Sequence, residues 1–420
     1  MDVREELHEA LDVDDFPSGA LLTQTMARLD SQPKHHFSAV PMTIAAGVIA
    51  AALVVTLVAI NLQPQISAGP SLATASTIDN LVGYQFVSEQ VGWVHVYAGS
   101  DVIAKTTDGG RSWHRQLTVT GLYSPATVQA IDSQHIVVIG LKRAGASVWT
   151  TSDGGSHWRS HAVPTSDPSL VSSVSGYFLD PAHGWLMFQR GSCQAPMLCP
   201  PQFVATRLVY QTVDGGDHWA PVGSLSGLPA GDVAFSFPTQ NVGIAVWTFG
   251  GSIAATHDGG RTWKSTEFSL PAPACGAVVA SCDFAFAQTA TMFDDKYGVL
   301  VATRFDVSHG YAVSRTGYAT YDGGLTWQAA PMLLHGMEGL IIFLSFNSFI
   351  QVAPNSLPLS PGWYLATAEF SDVNHGWVTV TNSPAQAALG IRHGDDLFQM
   401  LATSDGGVTW RQVALPRVTA

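Results

Sequence analysis

Charge is scarce in this 420-residue chain: 12% of its residues are Asp, Glu, Lys or Arg, and 19 basic residues face 32 acidic ones for a net charge of −13. With so few cations nothing in the chain is basic enough to suggest a phosphate-binding surface, so no nucleic-acid partner is expected. Cysteine is nearly absent, with Cys193, Cys199, Cys275 and Cys282 alone. Histidine forms no His-x-His or His-Glu-x-x-His pattern, and there is no Gly-Lys-Ser/Thr phosphate loop, so neither a metal nor a cofactor is expected. Glutamate runs out early: only Glu89, Glu267, Glu338 and Glu369 lie beyond residue 9. A glycosidase built on two carboxylates finds few candidates there. The pairs Asp294-Asp295 and Asp395-Asp396 are read as turn chemistry.

What the chain does have is turns and tryptophan, with 40 glycines, 23 prolines and 12 tryptophans. One eight-residue frame, Thr-x-Asp-Gly-Gly-x-x-Trp, occurs six times, at 106–113, 151–158, 212–219, 256–263, 320–327 and 403–410. Asp can fold its carboxylate onto nearby backbone N–H groups, the glycines supply positive φ, and the Thr hydroxyl can help close the loop. The Trp, expected as the first residue of the following strand, lays a large apolar ring under the hairpin. The candidate structural residues are therefore Asp108 and Trp113, Asp153 and Trp158, Asp214 and Trp219, Asp258 and Trp263, Asp322 and Trp327, and Asp405 and Trp410. Arginines in or beside the frames (Arg111, Arg159, Arg261, Arg411) are expected to point to solvent.

A second mark precedes most frames: an aromatic or apolar residue, a short polar turn, then Gly-Trp or Gly with an apolar residue. Examples are Phe86 to Gly92-Trp93, Phe178 to Gly184-Trp185, Met292 to Gly298-Val299 and Phe370 to Gly376-Trp377. Each unit thus reads strand, turn, strand, longer loop, strand, Asp-Gly-Gly turn, strand, the pattern of a β-propeller blade. Successive frame aspartates are 45, 61, 44, 64 and 83 residues apart. The last interval contains an apolar run, 340–353, and leaves only about 30 residues, too few for four more strands of typical length. The fold expected is all-β, a six-bladed propeller with an insertion there, a degenerate seventh blade being the alternative. The run itself is expected to be core rather than an exposed partner surface.

The six frames resemble Asp-boxes, or BNR repeats, found in sialidases, sortilin-type receptors, xyloglucanase-type glycosidases and photosystem II assembly-factor propellers. The resemblance covers roughly residues 79 to 415. It implies a propeller and not a job, because those families share the hairpin only. A sialidase would need three arginines converging on a carboxylate and a Tyr/Glu nucleophile pair.

Residues 42–62 are 21 consecutive uncharged, mostly apolar residues, enough to cross a bilayer as one helix. Arg28 and Lys34 precede the run and no Lys or Arg occurs from 63 to 104, which sets the N-terminus in the cytoplasm and the propeller outside. Four segments follow: 1–40, a short, partly helical cytoplasmic tail; 41–62, a transmembrane helix acting as signal anchor; 63–78, a flexible linker; and 79–420, an extracytoplasmic propeller. The compartment expected is a bacterial plasma membrane. On that outer side, the close pairs Cys193/Cys199 and Cys275/Cys282 are expected to form two local disulfides. The layout is also similar to that of single-pass anti-sigma regulators, without their zinc signature.

With no catalytic constellation, the functional reading is a membrane-anchored scaffold that recognises an envelope protein or a glycan through propeller loops. Insertions at 190–203, 271–283 and 333–361 would enlarge that surface. The alternatives are a sialidase-like glycoside hydrolase and a transmembrane sensor.

Overall fold

The structure, a computed structural model, describes residues 71–143, 145–163, 171–190, 206–228, 233–247, 252–266, 284–306, 311–330, 340–345, 348–352, 354–383 and 395–418. The expected tail and membrane helix, most of the linker and all four cysteines lie outside these residues. Among the described residues no helix is long and apolar enough to cross a membrane.

A short strand β1 (Thr74–Ala75) opens the described chain. Blade 1 follows with β2 (Leu81–Phe86), β3 (Gly92–Tyr97), β4 (Asp101–Thr106) and β5 (His114–Val119). Blade 2 has β6 (Thr127–Ala130), β7 (Ile136–Lys142), β8 (Gly145–Thr151) and β9 (Arg159–Ala162). Blade 3 has β10 (Val171–Phe178), β11 (Gly184–Arg190), β12 (Thr206–Thr212) and β13 (Ala220–Leu225). Blade 4 has β14 (Val233–Ser236), β15 (Gly243–Trp247), β16 (Ile253–Thr256) and β17 (Lys264–Thr266). Blade 5 has β18 (Phe284–Met292), β19 (Gly298–Asp306), β20 (Tyr311–Thr320) and β21 (Gln328–Ala329). A hairpin of β22 (Leu340–Ser345) and β23 (Ser348–Val352) precedes blade 6, which has β24 (Tyr364–Phe370), β25 (Gly376–Thr381), β26 (Phe398–Thr403) and β27 (Arg411–Val413), and β28 (Leu415–Pro416) ends the series.

Each blade is an antiparallel sheet whose spatial order is its chain order. The six four-stranded sheets make the protein a six-bladed β-propeller. Middle strands such as β4 and β7 are buried almost throughout, because a blade has neighbours on both faces; that is why β7 reads as an unbroken apolar run up to Lys142. Outer strands such as β9 are largely exposed and polar. Antiparallel alternation places every first-to-second and third-to-fourth turn at one end of the ring. All six Asp-Gly-Gly frames are third-to-fourth turns. The strands flanking 190–203, 271–283 and 333–361 open towards the opposite end.

The seams repeat one packing idea. The aromatic ending a first strand lies on the glycine opening the second: Phe86 covers Gly92, Phe178 covers Gly184 and Phe370 covers Gly376, leaving no room for a Cβ. The Trp after that glycine then stacks on the next blade's aromatic, as Trp185 does on Phe237 (3.9 Å, 3°) and Trp377 on Phe86 (4.0 Å, 8°). The second of these pairs joins blade 6 to blade 1.

One expectation needs correction. Residues 71–78 are not linker: Leu72 N donates to Trp113 O, β1 pairs with β28, and Ile78 exchanges backbone bonds with Phe398. Ile78 and Leu72 enter the core between blades 6 and 1, so this strap closes the ring. The apolar run 340–353 is core, as its composition suggested, but it has a specific place. Ile342, Ile350 and Val352, with Leu357, Leu359 and Trp363, cover Phe370, Val378 and Val380 of blade 6. At the other seams that position is held by a complete blade.

Candidate functional site

Each frame closes on itself in the same way. The Thr hydroxyl donates to Asp Oδ1 at 2.8–2.9 Å and accepts the second glycine's N–H at 2.8–3.0 Å. Asp Oδ1 also accepts the backbone N–H four residues on at 2.9 Å, in all six copies. Both glycines have φ between 71° and 98°, where a side chain is strained. The Oδ2 partner is a hydroxyl from Ser112, Thr262, Thr326 or Thr409, and an imidazole Nδ1 from His157 or His218, at 2.6–2.7 Å. Burial pushes the Asp153 carboxyl up, but hydrogen bonds from His157 and Thr151 outweigh it and hold the group at about 2. The His218 backbone does most to hold Asp214 at about 2, and the Thr409 hydroxyl does the same for Asp405. The carboxylates are fully used by their own turns and do not converge.

The tryptophans differ slightly from expectation: each stands one residue before its strand. Five of them (Trp158, Trp219, Trp263, Trp327, Trp410) donate Nε1–H to the second glycine's carbonyl of their own frame, at 3.0–3.1 Å. Trp113 instead reaches Ala414 O at 2.7 Å, across the closing seam.

The first glycine of a frame ties it to neighbours. Its N–H donates to the first-to-second turn of its own blade, as Gly109 does to Gln90 O and Gly406 to Asn374 O. In four frames its carbonyl accepts from the preceding blade: Gly109 O from Arg411 (3.0 Å), Gly154 O from Lys105 (2.9 Å), Gly259 O from Trp185 Nε1 (3.0 Å) and Gly323 O from His257 (3.2 Å). Arg411 thus keeps the exposure expected of it while its guanidinium also bonds across the closing seam. Lys105 lies over the Trp93 ring at 5.0 Å, and burial lowers its pKa. The frames are framework.

Glu369 brings a carboxyl to the wall of a cavity, and it was not singled out from the sequence. First strands line the channel, and those of blades 1, 2 and 6 bridge to the next blade by their next-to-last residue. Gln129 accepts from Phe178 N (2.8 Å) and donates to Phe178 O (2.7 Å), while Gln85 accepts from Ala130 N. Blade 6 carries Glu369 at this position. It accepts from Phe86 N, burial pushes its carboxyl up to about 8, and its buried Oε2 has no hydrogen-bond partner. A cavity of about 330 Å³ opens beside it, lined by Tyr84, Gln85, Thr367, Thr379 and Phe398 among others. Tyr84 donates to Trp377 O at 3.0 Å and accepts from Thr367 at 3.3 Å; burial, then the neighbouring Glu369, pushes its phenol up. Aligning the six units would have exposed Glu369, since Gln85, Gln129, Tyr177, Ser236 and Thr291 stand at the matching positions and none is an acid.

A Tyr and a Glu therefore do share one cavity, as the hydrolase alternative requires. No arginine lines it, and the phenol is already committed to Trp377 O. The turn reading of Asp294 holds, since it caps its own loop by accepting from Lys296 N and Tyr297 N at 2.8 and 2.7 Å. No group of three or more His, Cys, Asp or Glu that could hold a metal occurs among the described residues.

The class defined by these sheets and seams is the β-propeller. No protein-family model matches the chain, and no curated protein matches it. Among solved structures it is similar to YCF48 bound to D1 peptide, at 15% identity over 84% of this chain and 88% of that one, TM-score 0.38. It is also similar to the GH74 xyloglucanase of Xanthomonas campestris (13% identity, 80% and 60% covered, TM-score 0.39). A third likeness is to a PL25 ulvan lyase (10% identity, 83% and 86% covered, TM-score 0.39). At this level of similarity no role passes from them to this chain.

Proposed function

We propose that this protein is a single-pass scaffold of a bacterial plasma membrane, its N-terminus cytoplasmic and its Asp-box propeller extracytoplasmic, recognising an envelope protein or a glycan. The observation that carries this reading is how completely the repeated polar groups are spent on framework. Frame aspartates close their own turns, and frame glycines bind neighbouring blades. The residues lining the seam cavity include neither a second carboxylate nor an arginine to accompany Glu369. What such a ring offers a partner is its loops, and the longest ones leave from the end opposite the frames. The uncharged run 42–62 and the cations before it support the anchor and its orientation. The pairs Cys193/Cys199 and Cys275/Cys282 fit two disulfides on the outer side.

Cross-linking and co-purification from detergent-solubilised membranes test this, with the full chain beside a chain beginning at Ser71. Envelope proteins recovered with both support the scaffold. A cytoplasmic protein recovered only with the full chain replaces it with the sensor reading. Turnover of a glycan by either chain replaces it with a hydrolase.

A further inference from the structure

The cavity at the closing seam holds chemistry that its structural duty does not require. At the matching position in blade 2, the amide of Gln129 makes two bonds to Phe178, one to N and one to O. Glutamine in blade 6 would bridge to Phe86 as well. Glutamate makes one bond there and leaves Oε2 buried and unpartnered beside a cavity. A buried polar atom without a partner is costly, and such atoms cluster where a ligand supplies the partner.

The other hydroxyls decide what kind of ligand. Thr367 spends its only proton on Tyr84, at 3.3 Å, and Tyr84 spends its own on Trp377 O, at 3.0 Å. Thr379 and Thr367 are 2.5 Å apart, and with the Thr367 proton committed, Thr379 is the donor. Gln85 turns away, to the Ala130 amide of blade 2. The hydroxyl network therefore presents spare lone pairs with all its protons engaged. No Lys, Arg or His lines the cavity, and Tyr84 is the only other ionisable side chain facing it. Acceptor oxygens around one uncompensated carboxyl are complementary to a positively charged group carrying several N–H donors.

We propose that the seam cavity is a binding site for a primary ammonium group, with Glu369 as counter-ion and the oxygens of Tyr84, Thr367 and Thr379 as further acceptors. Lysine side chains of a partner and small free amines present the same group. The site goes beyond the scaffold reading and stands without it. In the empty site Glu369 is mostly protonated at neutral pH; the arriving ammonium ionises it, and the proton leaves to solvent.

The test is titration calorimetry on the detergent-solubilised full chain at pH 7, in two buffers of different ionisation enthalpy. The probes are Nα-acetyl-lysine methylamide, n-butylammonium and the uncharged Nα-acetyl-norleucine methylamide. The expected result is saturable binding of both amines, release of about 0.9 proton per amine bound given a carboxyl at about 8, and at least tenfold weaker binding to Glu369→Gln. Tighter binding of the lysine derivative assigns the site to a peptide side chain, and tighter binding of butylammonium to a free amine; both support it. Absence of saturable binding, equal binding of the norleucine derivative, or amine binding without proton release overturns it. The proton count comes from the wild-type chain, so it decides even where the Gln variant does not fold.

Discussion

Replacing Glu369 with Gln isolates the cost of keeping an acid in the channel wall. The carboxyl is pushed from 4.5 up to about 8 by burial. A folded-state value raised above the unfolded one leaves full stability below the unfolded value and removes it as pH rises to the folded value. Below about pH 4.5 both states are protonated and there is no cost. Between about pH 4.5 and 8 the unfolded chain ionises while the folded chain does not, and folding is penalised by an amount that grows to a plateau. At 1.36 kcal/mol per unit the full displacement is roughly 5 kcal/mol, and water entering the cavity brings the expected penalty to roughly 2–5 kcal/mol. The amide has no such penalty. For a propeller of this size, 1 kcal/mol shifts Tm by roughly 1–2 °C. Glu369→Gln is therefore expected to match the wild type at pH 4 and to melt roughly 2–10 °C higher at pH 9, followed by tryptophan fluorescence. A gain of equal size at both pH values would refute the reasoning, because it would then come from packing and not from ionisation.

Three further outcomes are expected. Trp377→Ala, which empties a fully buried ring stacked on Phe86 at the closing seam, should cost roughly 3–5 kcal/mol in denaturant unfolding. Gly223→Ala should cost roughly 1–3 kcal/mol although Gly223 has no positive φ, because its new methyl meets the backbone of Gly260 and Arg261 in the next blade; thermal unfolding measures it. Carboxylates held near 2 contribute stability present above about pH 4 and lost as pH falls through 2, so acid unfolding of Asp153→Asn, Asp214→Asn and Asp405→Asn should lose pH dependence in that window relative to the wild type.

The sequence by itself determined the blades. An Asp-Gly-Gly turn closes through contacts within eight residues, so its six copies, the glycines with positive φ and the strand on either side were all legible from local chemistry. The count of six four-stranded sheets followed from their spacing, and the turn role of Asp294 followed from its neighbours in the chain. Only the tertiary structure decided the seams. Ile78 and Leu72 look like linker until Phe398 and Trp113 are brought beside them. Arg411 is a surface cation whose bond to Gly109 O exists only across the closing seam. A hairpin of 340–352 stands against blade 6 because its apolar residues meet Phe370 and Val378 there. Glu369 reads as a stray acid until blade 1 is laid beside blade 6. Seam partners come from different blades, and at the closing seam they lie nearly 300 positions apart in the sequence, so their chemistry exists only once the ring has closed.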